Sequence, residues 1–167
     1  ADGIVFGAPV HYATAAASML GFMHRLAISG GRYLRHKPAA VVTSARRAGT
    51  TTALEAMEKV PQFFEMPLIS STYWPMVHGG KAEEAAADAE GMQIMRNLGR
   101  NMAWILRCIE AGKAAGIEAP VAEKRQSVRI LSADTRPAGG KAGVPTAGAP
   151  RLAFLRGVMP DSWCARR

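Results

Sequence analysis

The sequence predicts an α/β fold, a parallel sheet with helices on both faces. Short continuous apolar runs recur along residues 3–71: "GIVFG", "PAAVVTS" and "MPLISS". Segments with apolar residues at helical spacing lie between them, and a long amphipathic stretch follows. Strand–helix alternation of this kind closes through right-handed crossovers into a parallel sheet. At 167 residues, with 49% hydrophobic and 20% charged, the chain has the material for one domain with a buried core.

The first run, Gly3 to Gly7, mixes β-branched and aromatic residues and reads as a strand buried on both faces. A helix is expected over residues 14–28, with Thr14 as N-cap and Ala17, Leu20, Met23 or His24, and Ala27 on one face. Gly30 and Gly31 end it. Pro38 to Ser44 form the second buried strand, and Thr50 or Thr51 caps a helix over residues 52–60. Met66 to Ser71 form the third strand, followed by a loop, "TYWPMVHGGK". From Glu83 to Lys113 a single long helix is expected, with Met92, Met95, Leu98, Met102, Ile105 and Ile109 in an apolar stripe. Glu83, Glu84 and Asp88 near its start and Arg107 and Lys113 near its end match the helix dipole. Gly91 and Gly99 interrupt it, either for close packing or, near Gly91, as a break. Three parallel strands make an incomplete sheet, and the first presents an apolar edge, so further strands are expected from elsewhere or from another chain.

The net charge of +8 is uneven. Residues 1–122 hold 12 Lys/Arg against 10 Asp/Glu, and residues 123–167 hold 9 against 3. The body is therefore nearly neutral, and the high overall charge says little about what it binds. Residues 121–167, rich in Gly, Ala and Pro, read as a basic, irregular, disordered tail with one short strand at Ser127 to Leu131. Its scattered cations and two aromatics, Phe154 and Trp163, make nucleic-acid binding a poor fit. No apolar run is long enough to span a membrane, and no signal-peptide pattern opens the chain. Cys108 and Cys164 form neither a CxxC pair nor a metal-spaced cluster, which favours a cytoplasmic setting. Cys108 is expected to pack within the long helix, and His24 and His36 to be structural or surface residues.

In open parallel sheets, ligands bind beyond the carboxyl ends of the strands. Three loops fall there. In residues 8–13, Pro9 fixes a turn, and Val10, His11 and Tyr12 offer backbone groups and ring faces to a flat ligand. The same spacing also fits a plain turn with both rings facing solvent. In residues 44–50, Arg46 and Arg47 can hold an anion or a carbonyl edge, or can be solvated arginines in a helix-capping turn. In residues 72–80, Tyr73, Trp74, Met76 and His78 form a lid, a subunit contact or an apolar plug. No Ser/His/Asp order, HExxH motif or Gly-Lys-Ser/Thr phosphate loop is present.

At these residues the chain resembles a known family. "ADGIVFGAPVHYATAAASMLGFMHR" is similar to the third strand, loop and helix of NAD(P)H-dependent FMN reductases of the flavodoxin-like superfamily, whose pattern there is Ala-Asp-Gly-Ile-Ile-hydrophobic-Gly-Ser/Thr-Pro-Val-Tyr. Ala1, Asp2, Gly3, Ile4, Gly7, Pro9, Val10 and Tyr12 fit, and Ala8 replaces the usual hydroxyl residue. "AAVVTSARRAGTTTALEAM" looks like the fourth strand and its flavin-edge loop. "STYWPMVHGG" and "EGMQIMRNLGRNMAWILRCIEAGKAAGI" look like the closing segments of the iron–sulfur-flavoprotein-like branch. The resemblance covers about residues 1–120, taken as the C-terminal portion of such a domain.

What it implies is a flavodoxin-like three-layer fold binding FMN without a covalent bond. Pro9, Val10, His11, Tyr12 and Ala13 would line the isoalloxazine ring, with Ser44, Ala45, Arg46, Arg47 and Gly49 on its pyrimidine side. Trp74 and His78 would approach from the same or a neighbouring subunit. The family passes a hydride from NAD(P)H through the flavin to a quinone, free flavin or similar acceptor, and needs no acid–base side chain. The family's phosphate loop, and any cysteines ligating an iron–sulfur cluster, would precede Ala1, so flavin is expected to bind weakly. A homo-oligomer, and a non-catalytic subunit-assembly module as the alternative function, are also expected from the resemblance.

Overall fold

A computed structural model describes residues 1–123. Most of the expected tail, including the short strand at Ser127 to Leu131, lies outside the described residues. The element order is β1 (Ile4–His11), β2 (Thr14–Ala15), α1 (Ala17–Gly30), a 3₁₀ turn (Gly31–Tyr33), β3 (Ala39–Ala45), α2 (Thr50–Phe63), β4 (Met76–His78), α3 (Ala82–Ala87) and α4 (Ala89–Ala114). The sheet runs β2-β1-β3-β4. β1, β3 and β4 are parallel, and β2 pairs antiparallel with the end of β1. The α/β class expected from the sequence is the one found.

Strand register divides the sheet into two faces. Phe6, Ala8, Val41, Thr43 and Met76 point to one side. There Phe6, Ala8, Val41 and Met76 form the core with Met23 of α1 and Ala53, Leu54 and Met57 of α2. The opposite face carries Val5, Gly7, Ala40, Val42 and Val77. α4 covers only part of it. A Cβ on Gly91 would stand 2.8 Å from Val77 Cγ1, and one on Gly3 would stand 3.2 Å from Met102 Sδ.

Several expectations change. β1 runs on through Gly7, Ala8 and Pro9 to His11, and it is not buried on both faces, since Val5 is 55% exposed. Pro9 is tolerated because its nitrogen points away from β3. Ile4 N–H donates to the Pro38 carbonyl, so even-numbered β1 residues bond β3 and odd-numbered ones face outward. Thr14 does not cap α1. It pairs with His11 in β2, and the helix starts three residues later without a side-chain cap. Neither Thr50 nor Thr51 caps α2; Gly49 does, at φ +96°, and the helix extends to Phe63.

The expected third strand, Met66 to Ser71, is reduced to one bridge between Leu68 and Ala39. Regular pairing resumes only at Met76–His78, inside what reads as a loop. Two prolines explain the interruption. Pro67 and Pro75 lack N–H groups, and each contributes only its carbonyl, to Ala39 and Thr43 respectively. Between these points the chain makes an excursion carrying Tyr73 and Trp74. Met76 is therefore a core residue, 8% exposed, and not part of a lid.

The single long helix is two helices. Asp88 (φ −68°, ψ +89°) leaves helical geometry between α3 and α4, and its side chain caps α4. Of the expected stripe only Leu98 is buried, joined by Ile94, while Met92, Met95, Met102, Ile105 and Ile109 are half-buried. Cys108 is exposed and does not pack.

Candidate functional site

The carboxyl ends of β1, β3 and β4 bring three loops to one end of the sheet. The first is the tip of the β1–β2 hairpin. Val10 pairs with Ala15 and His11 with Thr14, leaving Tyr12 and Ala13 as a two-residue turn. Both have positive φ, +50° and +62°, as a type I′ turn requires. Neither is glycine, so the turn holds two L-residues in the disfavoured left-handed region, where backbone strain marks functional loops. The geometry aims the Tyr12 ring wholly into solvent.

The second loop leaves β3 at Ala45 and enters α2 at Thr50. Arg46, Arg47 and Ala48 are exposed, Ser44 and Gly49 half-buried, and Ala45 buried. Gly49 joins this loop to the first. A Cβ there would lie 2.8 Å from both Ala13 Cα and Val10 Cγ1. Beneath the contact, the Thr43 hydroxyl donates to the Ala8 carbonyl at 2.7 Å and ties the two strands together just before they end. α2 begins here without a side-chain cap, so its first N–H groups point toward the arginine loop.

The third loop follows β4. His78 and Gly80 are exposed. Gly79 N–H donates to the Ala45 carbonyl at 3.0 Å, and a Cβ on Gly80 would stand 3.5 Å from Cγ and Cδ of Arg46. Two carboxylates fasten the loop from below. Asp88 Oδ2 accepts from His78 N–H at 2.8 Å, and Glu84 Oε2 accepts from Gly80 N–H at 2.7 Å. Asp88 Oδ1 also takes Gly91 N–H at 2.9 Å. The hydrogen bond from Gly91, then that from His78, hold the Asp88 carboxyl below the ordinary aspartate range; partial burial opposes the shift and the His78 charge adds to it.

Thus Pro9 to Ala13, Ser44 to Gly49 and His78 are brought to one end of the molecule as a continuous surface. Trp74 is placed elsewhere. It stacks edge to face on Tyr73, 4.8 Å between centroids, and lines a cavity of about 330 Å³ with Val41, Glu58 and Leu68, none of them in the three loops. Thr43, Glu84 and Asp88 were not singled out as site residues. Glu84 and Asp88 carry a sequence signal, since they sit four residues after Gly80 and three before Gly91, the spacing of a local cap. Among the described residues no group of three or more His, Cys, Asp or Glu could hold a metal ion, and no helix is long and apolar enough to cross a membrane.

The strain at the hairpin tip is testable. Ala13→Gly relieves roughly 1–2 kcal/mol of left-handed strain and returns roughly 0.4–1 kcal/mol of unfolded-state entropy. The variant is expected to raise the urea midpoint, with a net gain of about 0.5–1 kcal/mol. A lowered midpoint would show that the turn stores no strain at Ala13.

No curated protein sequence matches the chain. A solved structure of a flavodoxin, WrbA-like protein from Agrobacterium tumefaciens aligns at 15% identity and a TM-score of 0.46, covering 60% of this chain and 68% of that one, a likeness too slight to build on. The sequence profile of the NADPH-dependent FMN reductase family matches residues 1–81, a span that holds all three loops. Over that span the chain is similar to the NADPH-dependent FMN reductase family.

Proposed function

We propose that this chain binds the ring end of FMN across the three loops and serves hydride transfer from NAD(P)H to a quinone, free flavin or similar acceptor. The observation that carries the reading is the joining of the loops. Gly49 against Ala13, and Gly80 against Arg46, make one surface at the carboxyl end of a parallel sheet, where such folds bind ligands.

The residues present fit the ring of a flavin. The hairpin tip offers exposed backbone and the uncovered His11 and Tyr12 rings to a planar partner. Arg46 and Arg47 are exposed, and among the described residues the one ion pair, Arg35 with Glu65, lies away from them. Both guanidiniums are therefore available to a carbonyl edge or an anionic ring. The start of α2, which no side chain caps, adds backbone donors and the positive end of a helix dipole to the same side. FMN bound there supplies the redox chemistry, accepting a hydride and passing electrons on. The chain's own part is to bind, orient and set local charge. The strained turn keeps the hairpin backbone in one conformation, and Asp88 and Glu84 hold the His78–Gly80 backbone against the arginine loop. These residues serve the ring end only, so affinity from them alone is modest.

Titrating the chain with FMN and following flavin fluorescence, alongside NADPH oxidation with a quinone acceptor, tests this. Weak saturable quenching is expected. Arg46→Ala with Arg47→Ala should reduce affinity about tenfold, from two lost charge-assisted contacts partly screened by solvent. No quenching at any FMN concentration, or quenching indifferent to both arginines, would sink the proposal.

A further inference from the structure

We propose that the cavity beside Trp74 binds a small organic cation, a methylated ammonium group held between an aromatic corner and the Glu58 carboxylate. The cavity, of about 330 Å³, is lined by β3, α2 and the excursion before β4, and no residue before Val41 takes part. That volume is at the small end of the range for small-molecule sites. Val41, Leu68 and Pro75 give it apolar walls. Tyr73 and Trp74 meet there edge to face, 4.8 Å between centroids and 74° between planes. Their ring faces therefore stand close to a right angle, and such a corner attracts a cation through the ring quadrupoles, tryptophan most strongly.

Glu58 supplies the charge. It is half-buried on α2, and the helix positions three and four away are Glu55, Pro61, Leu54 and Gln62, none of them a cation. Among the described residues no Lys or Arg lines the cavity, and the one ion pair joins Arg35 to Glu65. A carboxylate set in an apolar and aromatic wall favours a cationic guest over a neutral or anionic one. The wall is also fastened before a guest arrives. Ile69 N–H donates to the Ala39 carbonyl at 2.8 Å, and Thr43 N–H to the Pro75 carbonyl at 3.0 Å. The Ser71 hydroxyl donates to the Ile94 carbonyl at 2.7 Å, and the Asn101 amide to the Ser70 carbonyl at 2.9 Å. These bonds tie both ends of the aromatic segment to β3 and α4, which lowers the entropy cost of binding. Core packing does not account for the two rings, since Tyr73 is 54% and Trp74 55% exposed. The site shares no residue with the three loops, and the proposal does not rest on the flavin reading.

Titrating the full chain with choline, and following the NMR cross-peaks of the Trp74 indole and of the amides of residues 70–74, tests it. Expected is a saturable shift with a dissociation constant of about 1 mM, and little response to the neutral tert-butyl isostere of choline. Glu58→Gln should keep the wild-type circular dichroism and weaken choline binding about fivefold. Trp74→Leu, read at the amides, should weaken it about tenfold. Phosphatidylcholine vesicles separate two sources of the same group. A response to choline alone assigns a free cation, and a response to vesicles as well assigns a lipid headgroup; both support the ammonium site. No shift at any choline concentration overturns the proposal, and so does a folded Glu58→Gln variant that binds choline like the wild type. An equal response to the neutral isostere overturns it without any variant.

Discussion

Gly49→Ala is expected to destabilise the protein by about 2–5 kcal/mol, enough to consume a large share of a typical domain's stability. Two independent costs add. An L-residue at φ +96° carries roughly 1–2 kcal/mol of backbone strain. The new methyl also enters space already filled, 2.8 Å from Ala13 Cα and 2.8 Å from Val10 Cγ1. One of those neighbours is backbone in a tight turn and has little room to yield, so overpacking adds roughly 1–3 kcal/mol. Gly99→Ala is the matched control. Gly99 lies within α4, where a Cβ would meet nothing inside 4 Å among the described residues, and the change should stabilise by roughly 0.5–1 kcal/mol through helix propensity. Urea midpoints of the two variants should move in opposite directions. Equal, small effects would mean that the hairpin and the α2 loop are not in contact, and the continuous surface proposed for the flavin ring would go with them. FMN quenching should also weaken in Gly49→Ala, because the change displaces the hairpin tip proposed to face the ring.

The α/β class was legible because apolar runs and helical periods are local properties of the chain. β3 and α4 appear close to where their patterns put them. What could not be read locally was decided by hydrogen-bond parity. "GAP" looks like a strand ending, yet β1 passes through it because Pro9 falls on the side of the strand that needs no N–H toward β3. The strand at Met66 to Ser71 has the right composition, but Pro67 and Pro75 limit how the chain can pair beside β3 and displace regular pairing to Met76–His78. The site shows the same division. Pro9 to Ala13 and Ser44 to Gly49 stand as candidates because ligands gather at strand ends. Their direct contact through Gly49 depends on a distance no spacing reveals. Trp74 was grouped with them as an aromatic beside His78, but the interrupted strand carries it to the Val41 and Glu58 cavity instead.

Asp88→Ala should cost about 1–3 kcal/mol at neutral pH, combining a lost helix N-cap with a lost charge-assisted hydrogen bond on a partly exposed group. Its carboxylate does two jobs at once: it caps α4 through Gly91 N–H and holds β4's last residue through His78 N–H. Asn offers a single oxygen, so Asp88→Asn should keep one of the two bonds and fall between wild type and Ala. The pH dependence separates charge from geometry. Folding lowers the Asp88 pKa, so its charged form adds stability above the unfolded aspartate value of about 3.9, and that part is lost as pH falls through and below it. The gap between wild type and Asp88→Asn should therefore be widest at neutral pH and close on acidification. Urea midpoints of the three proteins at pH 7 and in the acid range give the measurement. A gap that persists undiminished into acid would show that Asp88 acts by shape alone. The functional consequence follows from position. His78 and Gly79 sit directly above this clamp, and Gly79 N–H bonds Ala45 where the arginine loop begins. Losing the clamp should loosen the third loop against the second, weakening flavin quenching in Asp88→Ala while the hairpin tip, held separately by Gly49, stays in place.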